Sequence, residues 1–321
     1  MKQGNSFSFI VDQSYLRLDQ YLSKQLPNFS RSKIQYHIRM GQVTIDGKKV
    51  KSSLILQGNE TIICCFEDKD DDIPLAAEKM NLNIIYEDDC FAAINKPAGL
   101  VVHPGSGNYS GTLLNGLLYH FHELSMLNSS RPGIVHRLDK ETSGVILIAK
   151  QDQFHENLSK QFHDGKVKKK YKALVWGRLS KDGIIDKKIS RHPKDRKIFS
   201  VTSGSGKDSF TYYRLDEYFP PISLVDLFPK TGRTHQLRVH LNHIGHPIFG
   251  DTNYGGGMKN AKSFHVKYTQ IINRLCKVIS RVSLHARSIE IKHPKTKKNM
   301  NFIAPIPKDF TDAMNILQNA K

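Results

Sequence analysis

Between Arg131 and Gly144 the chain reads RPGIVHRLDKETSG. Two arginines, a histidine, Asp139 and Glu141 share one turn-rich stretch just before the apolar run Val145 to Ala149. A carboxylate flanked by cations keeps a low pKa and stays ionised, as a nucleophile or base must. The same composition also suits a surface loop with local ion pairs. Composition alone does not separate Asp139 from Glu141.

Other chemistries find no support. Gly204-Ser205-Gly206-Lys207 suggests part of a phosphate loop, but Asp208 replaces the required Ser or Thr and the upstream glycine is missing. His235, His240, His243 and His246 lie close in sequence, yet no H-E-x-x-H and no paired acids accompany them. The H-x-E and P-C-x-x-C signature of zinc deaminases is absent, as is the G-x-S-x-G elbow of α/β-hydrolases. No metal is expected.

The elements around the acidic turn read as a mixed pattern. Strands are predicted over Leu82 to Tyr86, Phe91 to Ile94, Val145 to Ala149, Tyr171 to Trp176, Ser223 to Phe228 and, last, Leu284 to Ile291. Helices are predicted over Leu113 to His120, Phe154 to Phe162 and Thr234 to Asn242. Without strict β-α alternation, an α+β domain on a mixed, largely antiparallel sheet is expected. Gly255-Gly256-Gly257 and the lysine-rich stretch after it, through 282, read as a flexible excursion.

A smaller module precedes this domain. Leu18, Tyr21, Leu22 and Leu26 recur at helical spacing until Pro27. Ser30 suits an N-cap for a second helix carrying Ile34 and Ile38, and Gly41 suits its C′ position. Val43 and Ile45 then alternate into an Asp46-Gly47 hairpin turn. Arg31, Lys33, His37 and Arg39 form the polar complement of the second helix, and Lys48, Lys49 and Lys51 crowd the hairpin. The acidic run Glu67 to Asp72 before Pro74 is the boundary.

Charge points to the partner. Among 321 residues Lys and Arg number 48 against 30 Asp and Glu, a net charge of +18. A polyanion, nucleic acid above all, is the expected partner. Lys166, Lys168, Lys169, Lys170 and Lys172 are the densest basic run and are expected to guide an RNA backbone. The four cysteines form no C-x-x-C pair, which suits a reducing compartment. No apolar stretch suggests a signal peptide or a membrane span, so a cytoplasmic protein without membrane contact, and a monomer, is expected.

The segment RLDQYLSKQLPNFSRSKIQYHIRMGQVTIDGKKV resembles an S4 RNA-binding domain. HRLD followed by KETSG closely resembles the signature of the RluA family of pseudouridine synthases. INKPAGLVVHPG, GTLLNGLLYH, KKYKALVWG and TGRTHQLRVHLNHIGHPIFGD match the same family in order, and HPGSGN and ISRHP bring the chain closest to its RluD subgroup. Relatives usually show Pro-Ala where this chain has Asp208-Ser209.

The resemblance implies an S4 domain at 15–75, an acidic linker at 66–79 and a pseudouridine synthase catalytic domain at 80–315. It implies isomerisation of uridine in a stem-loop of large-subunit (23S) ribosomal RNA, or in a large-subunit assembly intermediate, with no cofactor. Asp139 would be the essential aspartate, Tyr171 the ring packed on the target base, and Arg238 the ion-pair partner of the aspartate. Arg137, beside His136, would fill the space of the extruded base. Arg233 and Gln236 would contact RNA or position the loop, and Arg31, Lys33, Arg39 and Lys48 would carry the S4 contacts. The same activity on other rRNA or tRNA sites, or a non-catalytic RNA-binding assembly factor, are the competing readings.

Overall fold

The computed structural model describes residues 5–12, 16–27, 29, 31–66, 75–105, 107–179, 182–195 and 198–320. The chain forms two compact units, Met1–Pro74 and Leu75–Lys321. The Ser30 cap and the acidic run at 67–74 lie outside the described residues.

The first unit holds β1 (Asn5–Ile10), α1 (Leu18–Gln25), α2 (Arg31–Arg39), β2 (Val43–Ile45), β3 (Lys48–Lys49) and β4 (Thr61–Phe66). Both helices and the hairpin match the sequence reading. Asp46 and Gly47 take φ of 47° and 75°, the paired left-handed turn that Asp-Gly favours. The hairpin belongs to a four-stranded sheet, β1-β4-β2-β3, because TIICCF in β4 alternates buried and exposed side chains. His37 is not part of the polar face. It is buried, stacks on Phe66 at 4.2 Å and bonds Gln42 through Nδ1 at 2.6 Å.

The second unit runs β5 (Ile84–Glu87), β6 (Phe91–Lys96), α3 (Leu113–His120), β7 (Ser143–Ala149), α4 (Asp152–His163), β8 (Lys168–Trp176), β9 (Asp182–Asp186), β10 (Lys188–Arg191), β11 (Phe199–Thr202), β12 (Phe210–Phe219), β13 (Ile222–Pro229), α5 (Gln236–His243), α6 (Thr269–Val278), β14 (Leu284–Lys292), β15 (Asn299–Ile303) and α7 (Lys308–Gln318). Nine strands form one sheet, β5-β6-β7-β14-β8-β13-β12-β9, with β15 also on β14. Its named pairs are antiparallel except β7 with β14.

Both faces of β7 are covered, which explains why it is buried at every position and apolar from Val145 onward rather than alternating. Val145 and Leu147 pack with Phe154 and Leu158 of α4, and Ile146 and Ile148 with Leu113, Leu114 and Leu117 of α3. Along β8, Ala173 and Val175 meet Leu237 and Leu241 of α5, while Leu174 and Trp176 meet α6 and α7.

Two sequence expectations fail here. The stretch to 282 is no flexible excursion: it forms 3₁₀ turns and α6, whose Ile272 and Leu275 are buried against the α7 cluster. Its amphipathic period was masked by the lysines between the apolar positions. Leu284–Lys292 is also not the last strand, since β15 follows and pairs with it.

Candidate active site

The acidic turn enters β7 where β7 meets β14. The parallel contact there is two residues long, His285 with Ser143 and Ala286 with Gly144. Gly144 has φ +116°, and a β-carbon on it would overlap the Ala286 carbonyl. Only glycine lets the two strands approach, so the last residue of the motif is a packing requirement.

Two buried cations, Lys96 and Arg281, and the half-buried His136 fix the turn from behind. Lys96, wholly buried at the end of β6, donates Nζ to the carbonyls of Pro97 (2.8 Å), Leu100 (2.8 Å) and Lys140 (3.1 Å). Burial lowers its pKa to about 7, opposed by the field of Asp139. Arg281 donates to the Glu141 carbonyl at 3.2 Å while its other nitrogens hold Asp309 of α7 at 2.6 and 3.0 Å. His136 accepts the Leu147 amide at Nε2 (2.9 Å) and stacks near Phe162, and burial takes its pKa down to about 3. His136 is thus a neutral pin between the turn and β7, with Nε2 spent on the backbone rather than free for RNA.

The turn opens on a cleft of about 360 Å³ lined by Arg137, Asp139, Tyr171, Arg233, His235 and Arg238, among others. Arg238 Nη1 reaches Asp139 Oδ2 at 3.4 Å, and His235 Nε2 lies 4.0 Å from Oδ1. Behind Arg238 sits Asp251, fully buried, accepting Nε at 2.7 Å and Nη2 at 2.9 Å. The Tyr254 ring faces the guanidinium at 4.8 Å. Tyr171, half-buried on β8, has its pKa raised by burial and then by Asp139, so its hydroxyl stays protonated. Arg137 is exposed and makes no ion pair among the described residues.

Of the two roles expected for Gln236, RNA contact and loop positioning, its contacts fit the second. It is buried; Oε1 accepts from Thr231 Oγ1 (2.7 Å) and the Arg233 amide (3.0 Å), and Nε2 donates to the Phe210 carbonyl and Thr211 Oγ1, both at 3.0 Å. Its whole amide holds the 231–236 loop. Arg233 is exposed, with Nε on the Asp208 carbonyl at 3.2 Å.

The basic run on β8 is also not a free phosphate track. Lys168 pairs with Glu290 (2.7 Å), Lys170 with Asp226 (2.9 Å), and Lys172 with Asp216 (2.7 Å) and Asp226 (3.0 Å). Lys169 donates to the Thr231 carbonyl at 3.0 Å, and burial, then Arg233, lowers its pKa to about 8.

In the first unit Arg31 is tied to the buried Asp19 by Nη2 at 2.9 Å, and Arg17 joins it at 3.0 Å. Asp19 is held down to about 2 by these partners and Gln35, against the penalty of burial. Arg31 therefore braces α1 against α2 with a half-exposed guanidinium. Arg39 and Lys48 are exposed, and the Lys33 side chain lies outside the described residues.

Asp88, Cys90 and His293 bring potential metal ligands within 4.8 Å of one another. His293 Nδ1 accepts the Lys295 and Thr296 amides, so its proton sits on Nε2, which donates to Asp88 at 3.3 Å. Asp88 also accepts from Tyr86 Oη and the Cys90 and Phe91 amides. The cluster is a closed hydrogen-bond network needing no cation.

A family model for RNA pseudouridylate synthase matches residues 91–243, and an S4 domain model matches 16–62. The chain is 40% identical over 304 residues to ribosomal large subunit pseudouridine synthase D of Nitrosomonas europaea, covering 95% of this chain and 85% of that one. It belongs to the RNA pseudouridylate synthase family. A Pasteurella multocida enzyme of the same name is 39% identical over 303 residues, 94% of this chain and 91% of that one. Human RNA Pseudouridylate Synthase Domain Containing 4 superposes with a TM-score of 0.57 at 26% identity, over 74% of this chain and 93% of that one.

A pseudouridine synthase breaks N1–C1′, turns the base and joins C5 to C1′, without redox chemistry. A stacked base cannot react and must leave the helix. The cleft brings together a carboxylate, Asp139, an aromatic ring, Tyr171, and the Arg137 guanidinium, which makes no ion pair among the described residues.

Residues that sequence reasoning left without a role are Lys96, His235, Asp251, Tyr254 and Arg281. Four of them sit in or beside quoted motif blocks, but the contacts that give them a role, such as the Lys140 carbonyl for Lys96 and Asp139 for His235, come from other elements. No helix among the described residues is long and apolar enough to cross a membrane.

Proposed function

We propose that this pseudouridine synthase modifies uridines in a stem-loop of large-subunit ribosomal RNA, with Asp139 as the reacting carboxylate. The observation that carries the reading is that Asp139 lines the cleft together with Tyr171, with Oδ2 against Arg238. The names of the similar enzymes support the ribosomal target.

In this reading Arg137 occupies the place of the flipped base, stacking on its neighbours through a planar guanidinium. Tyr171 packs on the target uracil, a contact worth roughly 1–3 kcal/mol. Because Tyr171 holds its proton, it can take one from C5 only by handing its own on. Asp139 attacks C1′ or removes the C2′ proton; both routes use the same carboxylate. The first unit, taken as an S4 module over 15–75, adds phosphate contacts through Arg39 and Lys48. A monomer in the cytoplasm that meets rRNA during subunit assembly completes the proposal.

Asp139→Asn should abolish pseudouridine formation on large-subunit rRNA while RNA affinity stays within about twofold. Near-normal turnover by that variant would refute the assignment. Mapping pseudouridines in rRNA and tRNA from a strain lacking the protein fixes the target: losses confined to tRNA would overturn the ribosomal reading.

A further inference from the structure

His235 lies in the loop before α5 with φ 56° and ψ 19°, the left-handed region. A histidine there costs about 1 kcal/mol or more, and such strain persists only where surrounding contacts enforce it. The Phe199 and Tyr254 rings pack edge-on against the imidazole, and each of its nitrogens faces a polar group. Nδ1 meets Tyr254 Oη at 2.7 Å, and Nε2 faces Asp139 Oδ1 at 4.0 Å.

The hydrogen-bond order around Tyr254 decides where the imidazole proton sits. Tyr254 Oη accepts the Phe199 amide at 2.9 Å. Burial raises its pKa, so the hydroxyl keeps its hydrogen. Nδ1 of His235 is the acceptor within reach. If Nδ1 donated instead, the hydroxyl hydrogen would face no acceptor among the described residues. Desolvation lowers the His235 pKa, with Arg238 and Arg137 adding to it and Asp139 and Asp251 opposing, so the ring is neutral. A neutral ring with a bare Nδ1 carries its proton on Nε2.

We propose that His235 is a positioning residue for the reaction: Tyr254 fixes its tautomer, and its Nε2–H steadies Oδ1 of Asp139 while Arg238 takes Oδ2. The carboxylate is then held from both sides with its remaining lone pairs toward the ribose. The present 4.0 Å separation closes by about 1 Å to a hydrogen bond, a tightening usual when substrate enters an open site. This rests on the reading of Asp139 given above.

The test uses the full-length protein and unmodified large-subunit rRNA transcript, with Asp139→Asn alongside. His235→Asn tolerates the left-handed backbone and keeps an amide beside Tyr254, but cannot reach Asp139. His235→Gln places an amide N–H near the Nε2 position. With His235→Asn, kcat should fall about 10- to 100-fold with RNA Kd nearly unchanged, and His235→Gln should recover most of the loss. Tyr254→Phe frees the tautomer and should give an intermediate kcat, a readout that stands even if the Asn variant folds poorly. Wild-type kcat in His235→Asn beside an inactive Asp139→Asn would overturn the proposal. A loss confined to Kd, or equal loss in the Gln and Asn variants, would overturn it too. An active Asp139→Asn would instead overturn the reading of Asp139 itself.

Discussion

Arg238 is held more closely by Asp251 than it holds Asp139. Two hydrogen bonds of 2.7 and 2.9 Å bind it to the buried carboxylate, against one of 3.4 Å to the cleft carboxylate. Asp251 thus sets the plane of the guanidinium, and Asp139 meets a donor already aimed. The arrangement is two acids sharing one cation, with the wholly buried acid taking the fork.

Asp251→Asn should therefore lower kcat by about 10- to 100-fold through a displaced Arg238, with little change in RNA affinity. Arg238→Ala should be costlier for stability, about 3–5 kcal/mol, because it strands Asp251 as a buried charge. Steady-state kinetics and urea unfolding of both variants separate the two effects. An Arg238→Ala protein as stable as wild type would contradict the buried pair.

Asp226 reverses this arrangement, with one acid gathering three cations. It is 1% exposed and receives Lys170, Lys172 and Arg214 at 2.9 to 3.0 Å. Replacing Lys170 and Lys172 together by Gln should cost about 3 kcal/mol of stability. It should leave the salt dependence of RNA binding nearly intact, whereas two true phosphate contacts would remove about 1.4–1.8 from the slope. A slope reduced by that amount would restore the run as an RNA track.

The contrast between these lysines and the acidic turn shows what the chain discloses locally. β7 from Val145 onward was legible because a run covered on both faces is apolar at every position, and the Asp-Gly hairpin because its turn needs two left-handed residues. The ion pairs of Lys170 and Lys172 were not, since Asp226 lies on a strand more than fifty positions away. Nothing in the neighbours of Lys96 marks it for burial, and only the fold brings the Lys140 carbonyl to it. Asp139 itself became distinct from Glu141 through partners, not composition: Glu141 offers its backbone carbonyl to Arg281, while Asp139 offers its carboxylate to the cleft.

Gly144→Ala tests the junction beneath the turn. Its φ of +116° and the adjacent Ala286 carbonyl leave no room for a methyl group. The variant should lose about 3 kcal/mol or more in urea unfolding, combining backbone strain with overpacking. Gly165→Ala is the control: φ there is +67° with open space around it, so about 1 kcal/mol is expected. Equal costs at the two sites would mean that β7 and β14 can separate without penalty.

Acid should destabilise the protein well above the carboxylate range. Burial lowers the pKa of His136 to about 3 and those of His103 and His285 to about 4. Arg131 and Arg137 add to the effect at His103, and Lys169 at His136. Unfolded, each ring takes a proton near pH 6.5; folded, each refuses it until about pH 4 or below. The unfolded chain therefore binds up to three more protons as pH falls through this window, and stability falls with it. The slope reaches about 1.4 kcal/mol per pH unit for each ring, on the order of 4 kcal/mol per unit for all three. Urea midpoints should drop steeply between pH 6 and 5, where the depressed lysines Lys96 and Lys169 are already protonated in both states and the rings dominate. An unchanged midpoint across that interval would show that these rings are free to protonate in the folded state, and would remove the pin that His136 supplies to the reactive turn.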